Sequence, residues 1–510
     1  MIGSQDHARA KPKMINFASS TGAVIEEHAW VDPEAAFAPQ ANQPFSIWLD
    51  SGGHFPTGKY SYIVTDPFDR LIQSVGTNRT DEAAPLDKLA QMQTQFANPW
   101  RDMPADIVNQ IPEFRGGCVG VFGYELGSCF EEILTKAVPP DGEADIDVPD
   151  LTIGFYAHGL AFDPVQKRCF IFSTGDPEHT VAKRSAKALA DIEIWKHRLQ
   201  ALQEKPEPPW INMAPLIEQD LTSSVTADKF IENVERIKQH ISQGDIFQAN
   251  LAQRYQGQLK TGATDFQAYQ NLRRISPAPF GAFAQFGDWS LASSSPEAFI
   301  EIEGQTIRTR PIKGTLPRSD NPIRDAKLAS DLLGSEKDRA ENIMIVDLLR
   351  NDLARICELH SIEVEQLCAL ESYANVHHLV STISGKLKRN QTIVDVLAAS
   401  FPGGSITGAP KIRAMEIIAD IEKIRRGPFC GSLGYIGFDG RTNLNISIRS
   451  IVFSGQSLQF HVGGGITSRS DAIAEYNETL DKAAGIFAAL GFAAEPKRQA
   501  ISHGVCEPAL

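Results

Sequence analysis

Four carboxylates in two pairs carry a plain chemical signal in this chain. Asp338 and Glu341 stand three residues apart, as do Glu475 and Glu478, with Lys482 one further turn along. In a helix, residues three and four apart share a face. Two such helices facing one another would offer four carboxylates to one point. That oxygen-rich set suits Mg²⁺, which usually keeps waters and takes a substrate oxygen as well. Taken singly, each pair reads first as a solvated acidic face. Against that, Glu341 leads into the apolar run Asn342-Ile343-Met344-Ile345-Val346, which sets it at the margin of a buried helix.

Other residues add to this signal. Lys313 lies in Arg310-Pro311-Ile312-Lys313-Gly314-Thr315, expected as a proline-set strand running into a Gly-Thr turn. A lysine is ordinarily a solvated charge, but one placed there could serve as a pocket nucleophile. The run Phe401–Lys411, which includes Ser405 and Thr407, precedes an expected helix with Pro410 in its first turn. Free backbone N–H groups at such a start favour a carboxylate or phosphate. Ala409-Pro410 separates Gly408 from Lys411, so a nucleotide phosphate loop is rejected. Gly463-Gly464-Gly465 permits close approach of backbone to a ligand, and a plain turn explains it equally well. Arg449, at the polar phase of the expected strand Ile446–Ile451, could grip a carboxylate or be solvated. Glu297 and His378 are acid/base candidates, although such residues are more often structural. Gly116-Gly117-Cys118-Val119-Gly120 formally matches a nucleophile elbow but reads as a glycine-rich strand, since no helix follows it.

The whole chain must position these groups. It has 510 residues, 42% hydrophobic, enough for a large core and two or more domains or one unusually large one. Its 63 acidic and 49 basic residues give a net charge of −14. That disfavours nucleic acid or an anionic membrane as a partner and still allows a basic pocket. The seven cysteines are scattered without zinc spacing, which suggests reduced thiols and a cytoplasmic protein. Met1–Met14 has no apolar segment expected of a secretion signal, and no run of about 18 apolar residues exists.

Residues 1–205 are expected to be a β-rich region. Its strands are Pro44–Leu49, Tyr60–Val64, Val119–Tyr124, Leu151–Phe162 and Arg168–Phe172, and a helix follows at 179–204. Residues 206–222, with Pro206, Pro208 and Pro209, read as a linker or crossing segment. Residues 223–490 form the second part. Helices are expected at Ala227–Gln243, Glu336–Ile356, Pro410–Ile424 and Ser470–Leu490. Strands are expected at Gln248–Tyr255, Ser290–Ile302, Thr306–Ile312 and Gly431–Val462, with a hairpin turn at Asp439-Gly440. Residues 491–510 form a tail. Intermixed strands and helices without strict alternation predict an α+β fold with mostly antiparallel sheet.

These motifs, in this order, resemble the chorismate-utilising enzymes. Asp338–Asp352 and Phe401–Ile417 are the most specific segments, and the likeness is strongest over 223–490. It is looser in the N-terminal part, through Trp48-Leu49-Asp50-Ser51, Tyr60-Ser61-Tyr62 and Phe114-Arg115-Gly116-Gly117. The resemblance implies a layered α/β sandwich with helices outside. It implies that Glu341 and Glu475, with Asp338 and Glu478 nearby, hold Mg²⁺ against the ring carboxylate of chorismate. Gly314, Thr315 and Ser405 would seat that carboxylate, with Thr407 a further binding candidate in the same loop. Arg449, Gly463, Gly464, Gly465 and Lys482 would surround the enolpyruvyl carboxylate. Glu297 would protonate the departing hydroxyl, and His378 would lie beside the ring.

Two positions choose among branches of this resemblance. Gln248 stands where isochorismate-forming relatives carry a lysine base, so water addition is disfavoured. Lys313 stands where anthranilate-forming relatives carry a small residue, and members that aminate chorismate with the pyruvyl group retained carry lysine. There it would attack the ring as the hydroxyl leaves, before ammonia displaces it. Burial and a cation such as Arg310 or the metal would lower its pKa toward neutrality. Phe429 departs from the Tyr common in anthranilate-forming relatives and cannot donate a hydroxyl. No Cys/His/Glu glutaminase is evident, so a separate glutamine amidotransferase subunit would supply the ammonia. Anthranilate formation, a non-catalytic regulatory subunit and Mg²⁺-dependent phosphoryl transfer are the competing readings.

Overall fold

The computed structural model describes residues 14–52, 55, 57–75, 84–96, 98–130, 146–203, 214–373 and 376–492. Residues 1–13, residues 206–213 of the expected linker, and all but the first two residues of the 491–510 tail lie outside the described residues.

Two large antiparallel sheets stack face to face, with helices covering both outer surfaces. Among the described residues the first sheet has 13 strands and the second 10. Alternation along each strand explains the layering. In Gly117–Phe122, Val119 and Val121 enter the core between the sheets, while Cys118 and Phe122 join the core under the helices. In Ser46–Asp50, Ile47 faces the second sheet and Trp48 faces the helices of its own side. Both strands are buried on both faces, so each such side chain contributes about 1.5–3 kcal/mol relative to exposure. This four-layer α/β/β/α sandwich is the expected α+β fold.

Both sheets draw strands from either side of the 206–222 segment. Ser46–Asp50 pairs with Phe280–Gln285 in the first sheet, and Gly117–Phe122 pairs with Ser432–Gly437 in the second.

The elements that line the cavity or adjoin its lining loops are β1 (Gln248–Gln258), β2 (Ser290–Ser295), β3 (Ala298–Glu303), β4 (Ile312–Pro317), β5 (Val376–Lys386) and β6 (Ser457–Ile466). Three helices join them: α1 (Glu336–Ala354), α2 (Lys411–Glu422) and α3 (Ala472–Ala489). α1 starts where the Ser335 hydroxyl accepts from the Asp338 N–H, and α3 where the Asp471 carboxylate accepts from the Ala474 N–H. The expected helices thus form with ends shifted by a residue or two.

Three local expectations are corrected. Ser290–Ile302 is not one strand: β2 belongs to the first sheet and β3 to the second, with Pro296-Glu297 crossing between them. Pro296 cannot donate to a ladder, which ends β2 there. Lys313 lies within β4, not before a turn. Gly314 takes φ +81 at a register shift in the β4–β5 pairing. Arg449 is not in a strand either: it precedes Ser450–Ser454 with φ +52, a left-handed conformation uncommon for a residue with a Cβ.

Candidate active site

A cavity of about 750 Å³ opens where β4, β5, the end of β6, α1 and α3 converge. Lys313 projects into it from β4 and is mostly buried. Its Nζ donates to the Ser405 carbonyl at 3.0 Å and lies 3.2 Å from Glu341 Oε1. Burial works to lower the Lys313 pKa, but the carboxylates of Glu341 and Glu297 outweigh it and hold the ammonium above its ordinary value. This reverses the expected depression. Arg310, the cation invoked for it, is committed to Glu371.

Glu297 faces the same space from the crossing between the sheets. It is buried and accepts from the Ser405 hydroxyl at 2.8 Å. Burial raises its pKa, against the opposing charge of Lys313 and the Ser405 hydrogen bond, which favours a protonated acid. His378, on β5, shares a 2.8 Å hydrogen bond between Nδ1 and the Thr315 hydroxyl. Burial first, then the charge of Arg449, pushes its pKa down to about 4, so the ring is neutral near pH 7. Arg449 is itself buried in the wall, and desolvation lowers its pKa. A buried guanidinium opening on a cavity is a ready partner for a carboxylate.

The triple glycine separates the two carboxylate helices. A Cβ on Gly465 would fall 2.2 Å from Gln248 Nε2 and 3.0 Å from Glu341 Oε1, on the α1 side. A Cβ on Gly464 would fall 3.4 Å from Lys482 Nζ and 3.5 Å from Glu475 Oε2, on the α3 side. The strand end is therefore a thin partition with carboxylates close on both sides. Gly463 contributes its carbonyl, which accepts from Lys482 Nζ at 2.9 Å. Gly314 is needed for similar reasons, since a Cβ there would lie 3.0 Å from the Asp338 side chain.

All four carboxylates line the cavity. Glu341 pairs with Lys313, Glu475 with Lys337 at 3.7 Å, and Glu478 with Lys482 at 2.8 Å, while Asp338 accepts from the Ser335 hydroxyl. Burial raises the Glu475 pKa. For Glu478 burial acts the same way, but Lys482 prevails and its pKa falls. Among the described residues no three Asp, Glu, His or Cys side chains converge closely enough to hold a metal ion. The donor chemistry nonetheless fits Mg²⁺, for which one or two carboxylates completed by water and a substrate oxygen suffice.

Of the remaining candidates, Thr315, Ser405 and Arg449 line the cavity. Thr407 does not: it is buried, and its hydroxyl donates to the Gly403 carbonyl at 3.0 Å, bracing the loop. Sequence reasoning missed Lys337, Asn250 and His461, all on the wall. His461 stacks on Phe429 with centroids 5.2 Å apart, so Phe429 contributes a ring face. That corner is anchored from the N-terminal region. Glu125 accepts from the Arg426 and Gly427 N–H groups at 2.7 and 2.9 Å, and the buried Arg426 pairs with Glu422 at 2.7 Å.

A sandwich of this form, with acids, lysines and a buried arginine round one cavity, defines the class. The chain belongs to the chorismate binding enzyme family, whose pattern it matches over residues 46–488. Its relatives include aminodeoxychorismate synthase component 1 of Salmonella typhimurium, 38% identical over 88% of this chain and 94% of that protein. Anthranilate synthase component 1 of a Synechocystis species is 36% identical over 88% of this chain and 91% of that protein. Among solved structures, anthranilate synthase component I from Streptococcus pneumoniae superposes with TM-score 0.71 at 30% identity, covering 85% of this chain and 92% of that one. The menaquinone-specific isochorismate synthase of Escherichia coli shares the fold at 17% identity, with TM-score 0.68 over 94% of this chain and 96% of that one. No helix among the described residues is long and apolar enough to cross a membrane, and no disulfide joins any two of the six described cysteines.

Proposed function

We propose that this enzyme aminates chorismate with ammonia to give 4-amino-4-deoxychorismate with the pyruvyl group retained, in the cytoplasm. The observation that carries the reading is Lys313, buried in the cavity between Glu341 and the acid Glu297. Glu297 protonates the ring hydroxyl, which leaves as water as its C–O bond breaks. Lys313, once it has passed a proton to the Glu341 carboxylate 3.2 Å away, forms an Nζ–C bond to the ring in the same displacement. The ammonia lone pair then attacks the carbon that lost the hydroxyl. The Nζ–C bond breaks, and the amine of Lys313 is restored as the new ammonium group loses a proton. Arg449 answers one substrate carboxylate. Glu341 and Glu475 would hold Mg²⁺, which supplies a Lewis acid for the other carboxylate. Ser405 orients Glu297, and Thr315 orients the neutral His378 beside the ring.

Ammonia would come from glutamine through a separate amidotransferase subunit, a reading supported by the component numbering in the relatives' names. The anthranilate synthases among the relatives keep pyruvate elimination as the rival reaction. Incubation of the purified chain with chorismate, Mg²⁺ and ammonium separates the two. Aminodeoxychorismate is the expected product, and anthranilate as the sole product would reject the proposal.

A further inference from the structure

Adjacent residues of a strand point to opposite faces, yet Ile312 and Lys313 on β4 both line the cavity. So do Thr315 and Pro317, and across from them Val376 and His378 on β5. Strict alternation allows residues 312, 314 and 316 or residues 313, 315 and 317, never a mixture. The β4–β5 register explains the exception. Ile312 pairs with Val380 and Thr315 with His378, so β4 takes three steps where β5 takes two. The extra residue makes a bulge, with Gly314 at φ +81, and a bulge re-aims the side chains around it. Were β4 beyond the bulge to shift by one residue, pairing would run straight on from Ile312. Leu379 would then face Lys313, His378 would face Gly314, and Val376 would face Leu316. Such a slip turns each side chain over to the other face. Lys313 and Thr315 would leave the cavity together.

Inside the cavity Lys313 is held by Glu341 and Ser405, and Thr315 by His378. Lys313 gives up its bonds when Nζ joins the ring. Outside the cavity, one carboxylate gathers the strand ends. Asp325 lies in the first turn of the helix Pro322–Gly334. It accepts from Arg318 Nε and Nη2, each at 2.9 Å, and from the Ser319 N–H at 2.9 Å. Arg318 and Ser319 directly follow β4. Asp325 Oδ1 also shares a 3.1 Å hydrogen bond with Nε2 of His377, the residue opposite Leu316. His377 is 3% exposed, and its Nδ1 shares a 2.7 Å hydrogen bond with the Ser372 hydroxyl. Ser372 ends the strand Glu363–Ser372, which runs along the other edge of β5. Arg318 Nη1 donates to the Tyr373 carbonyl at 2.7 Å. An isolated surface ion pair fixes little, but a forked arginine–carboxylate pair inside a network fixes geometry. A shift of β4 by one residue, about 3.3 Å, takes Arg318 and Asp325 out of register with Tyr373 and His377.

We propose that Asp325 is a positioning residue that locks the register of β4 and so turns Lys313 into the cavity. Its bearing on catalysis rests on the amination reading above, and the register is tested without it. Pro317 and Val376 stand directly opposite one another, where two thiols come within disulfide reach. Pro317→Cys/Val376→Cys should therefore cross-link on oxidation. Leu316→Cys/Val376→Cys should link only in the shifted register, because Leu316 points to the face away from Val376. Peptide mass spectrometry reads both links, with Asp325 intact and in Asp325→Ala. Asp325→Ala should raise the yield of the second link about five-fold and lower that of the first. Unchanged yields of both links overturn the lock. Amination kcat in Asp325→Ala should fall about five-fold. Closing the Pro317→Cys/Val376→Cys link in that protein should return kcat to the value of the same linked pair with Asp325 intact, and reduction should remove the gain. A rate that stays low with the link closed overturns the positioning role. Thermal melting identifies the folded variants, and Arg318→Ala, which opens the clamp from the strand side, decides where Asp325→Ala does not fold. Absence of any aminated product from the unsubstituted enzyme rejects the amination reading alone, and the cross-links still decide the register.

Discussion

Substituting alanine at two adjacent glycines separates packing from general strand tolerance. Neither Gly464 nor Gly465 has a positive φ, so alanine is allowed at both by the backbone. At Gly464 the new methyl would stand 3.4 Å from its nearest neighbour, Lys482 Nζ, an ordinary contact. Gly464→Ala should therefore lie within about 1 kcal/mol of the unsubstituted protein, with a small gain from the stiffer unfolded chain. At Gly465 the methyl would overlap Gln248 Nε2 at 2.2 Å and press on Glu341 Oε1 at 3.0 Å. Gln248 is 1% exposed. Overpacking costs about 1–3 kcal/mol. Turning Gln248 away would trade that strain for its 3.2 Å bond to a carboxylate, worth about 1.5–3 kcal/mol. Gly465→Ala should thus destabilise by about 2–4 kcal/mol. It should also weaken Mg²⁺ binding, because Glu341 is displaced. Denaturant unfolding of the pair, followed by tryptophan fluorescence, and Mg²⁺ calorimetry measure both effects. Equal stability of the two variants, or unchanged Mg²⁺ binding in Gly465→Ala, would refute the account of the glycine partition.

Lys313→Ala should slow amination at least about a hundred-fold while chorismate still binds, since nucleophilic participation is removed and Arg449 remains; rapid-quench kinetics beside a binding titration checks this, and an unchanged rate removes covalent catalysis. Glu341→Gln and Glu475→Gln should each weaken Mg²⁺ binding and activity together, read by calorimetry and a Mg²⁺ titration of rate; unaltered titrations would reject the assigned ligands. His378 is held neutral when folded, with a pKa near 4 against about 6.5 unfolded, so the unfolded chain binds the extra proton in that window. Its contribution to stability is then intact above about pH 6.5 and falls with pH, by about 2 kcal/mol at pH 5. His378→Asn should lose that part of the pH slope, and parallel stability-against-pH curves for the two proteins would contradict the burial argument.

The pattern of local residues was readable where spacing alone sets a face. The Asp338–Glu341 and Glu475–Glu478 pairs lie on α1 and α3 as the helical period requires, and both line the cavity. Long-range partners were not readable. The triple glycine has its meaning through Gln248, more than 200 residues away in the sequence, so sequence gave it only as a turn or a close approach. The split of Ser290–Ile302 into two sheets could have been suspected from Pro296, but not the destination of each half. Lys313 does line the cavity, but inside a strand and with a raised pKa: the sign depends on Glu341 and Glu297, which three-dimensional packing brings to it. His461 stands two residues before the triple glycine, and its place on the wall shows only through its stack on Phe429 and its unpartnered nitrogen.

The interleaving of strands has a consequence for cutting this protein. A fragment beginning near residue 223 would lose Ser46–Asp50 from beside Phe280–Gln285 and Gly117–Phe122 from beside Ser432–Gly437. Each loss opens a raw sheet edge in the middle of what had been a continuous ladder, with both faces apolar. Such edges recruit other chains. The fragment would also lack Glu125, and with it the anchor of the Arg426–Phe429 corner. Residues 223–490 are thus not a module that can be lifted out and transplanted; the two parts supplied as separate polypeptides would have to find each other by strand pairing, which makes the 206–222 segment a place to split the chain for complementation and a poor place to trim it.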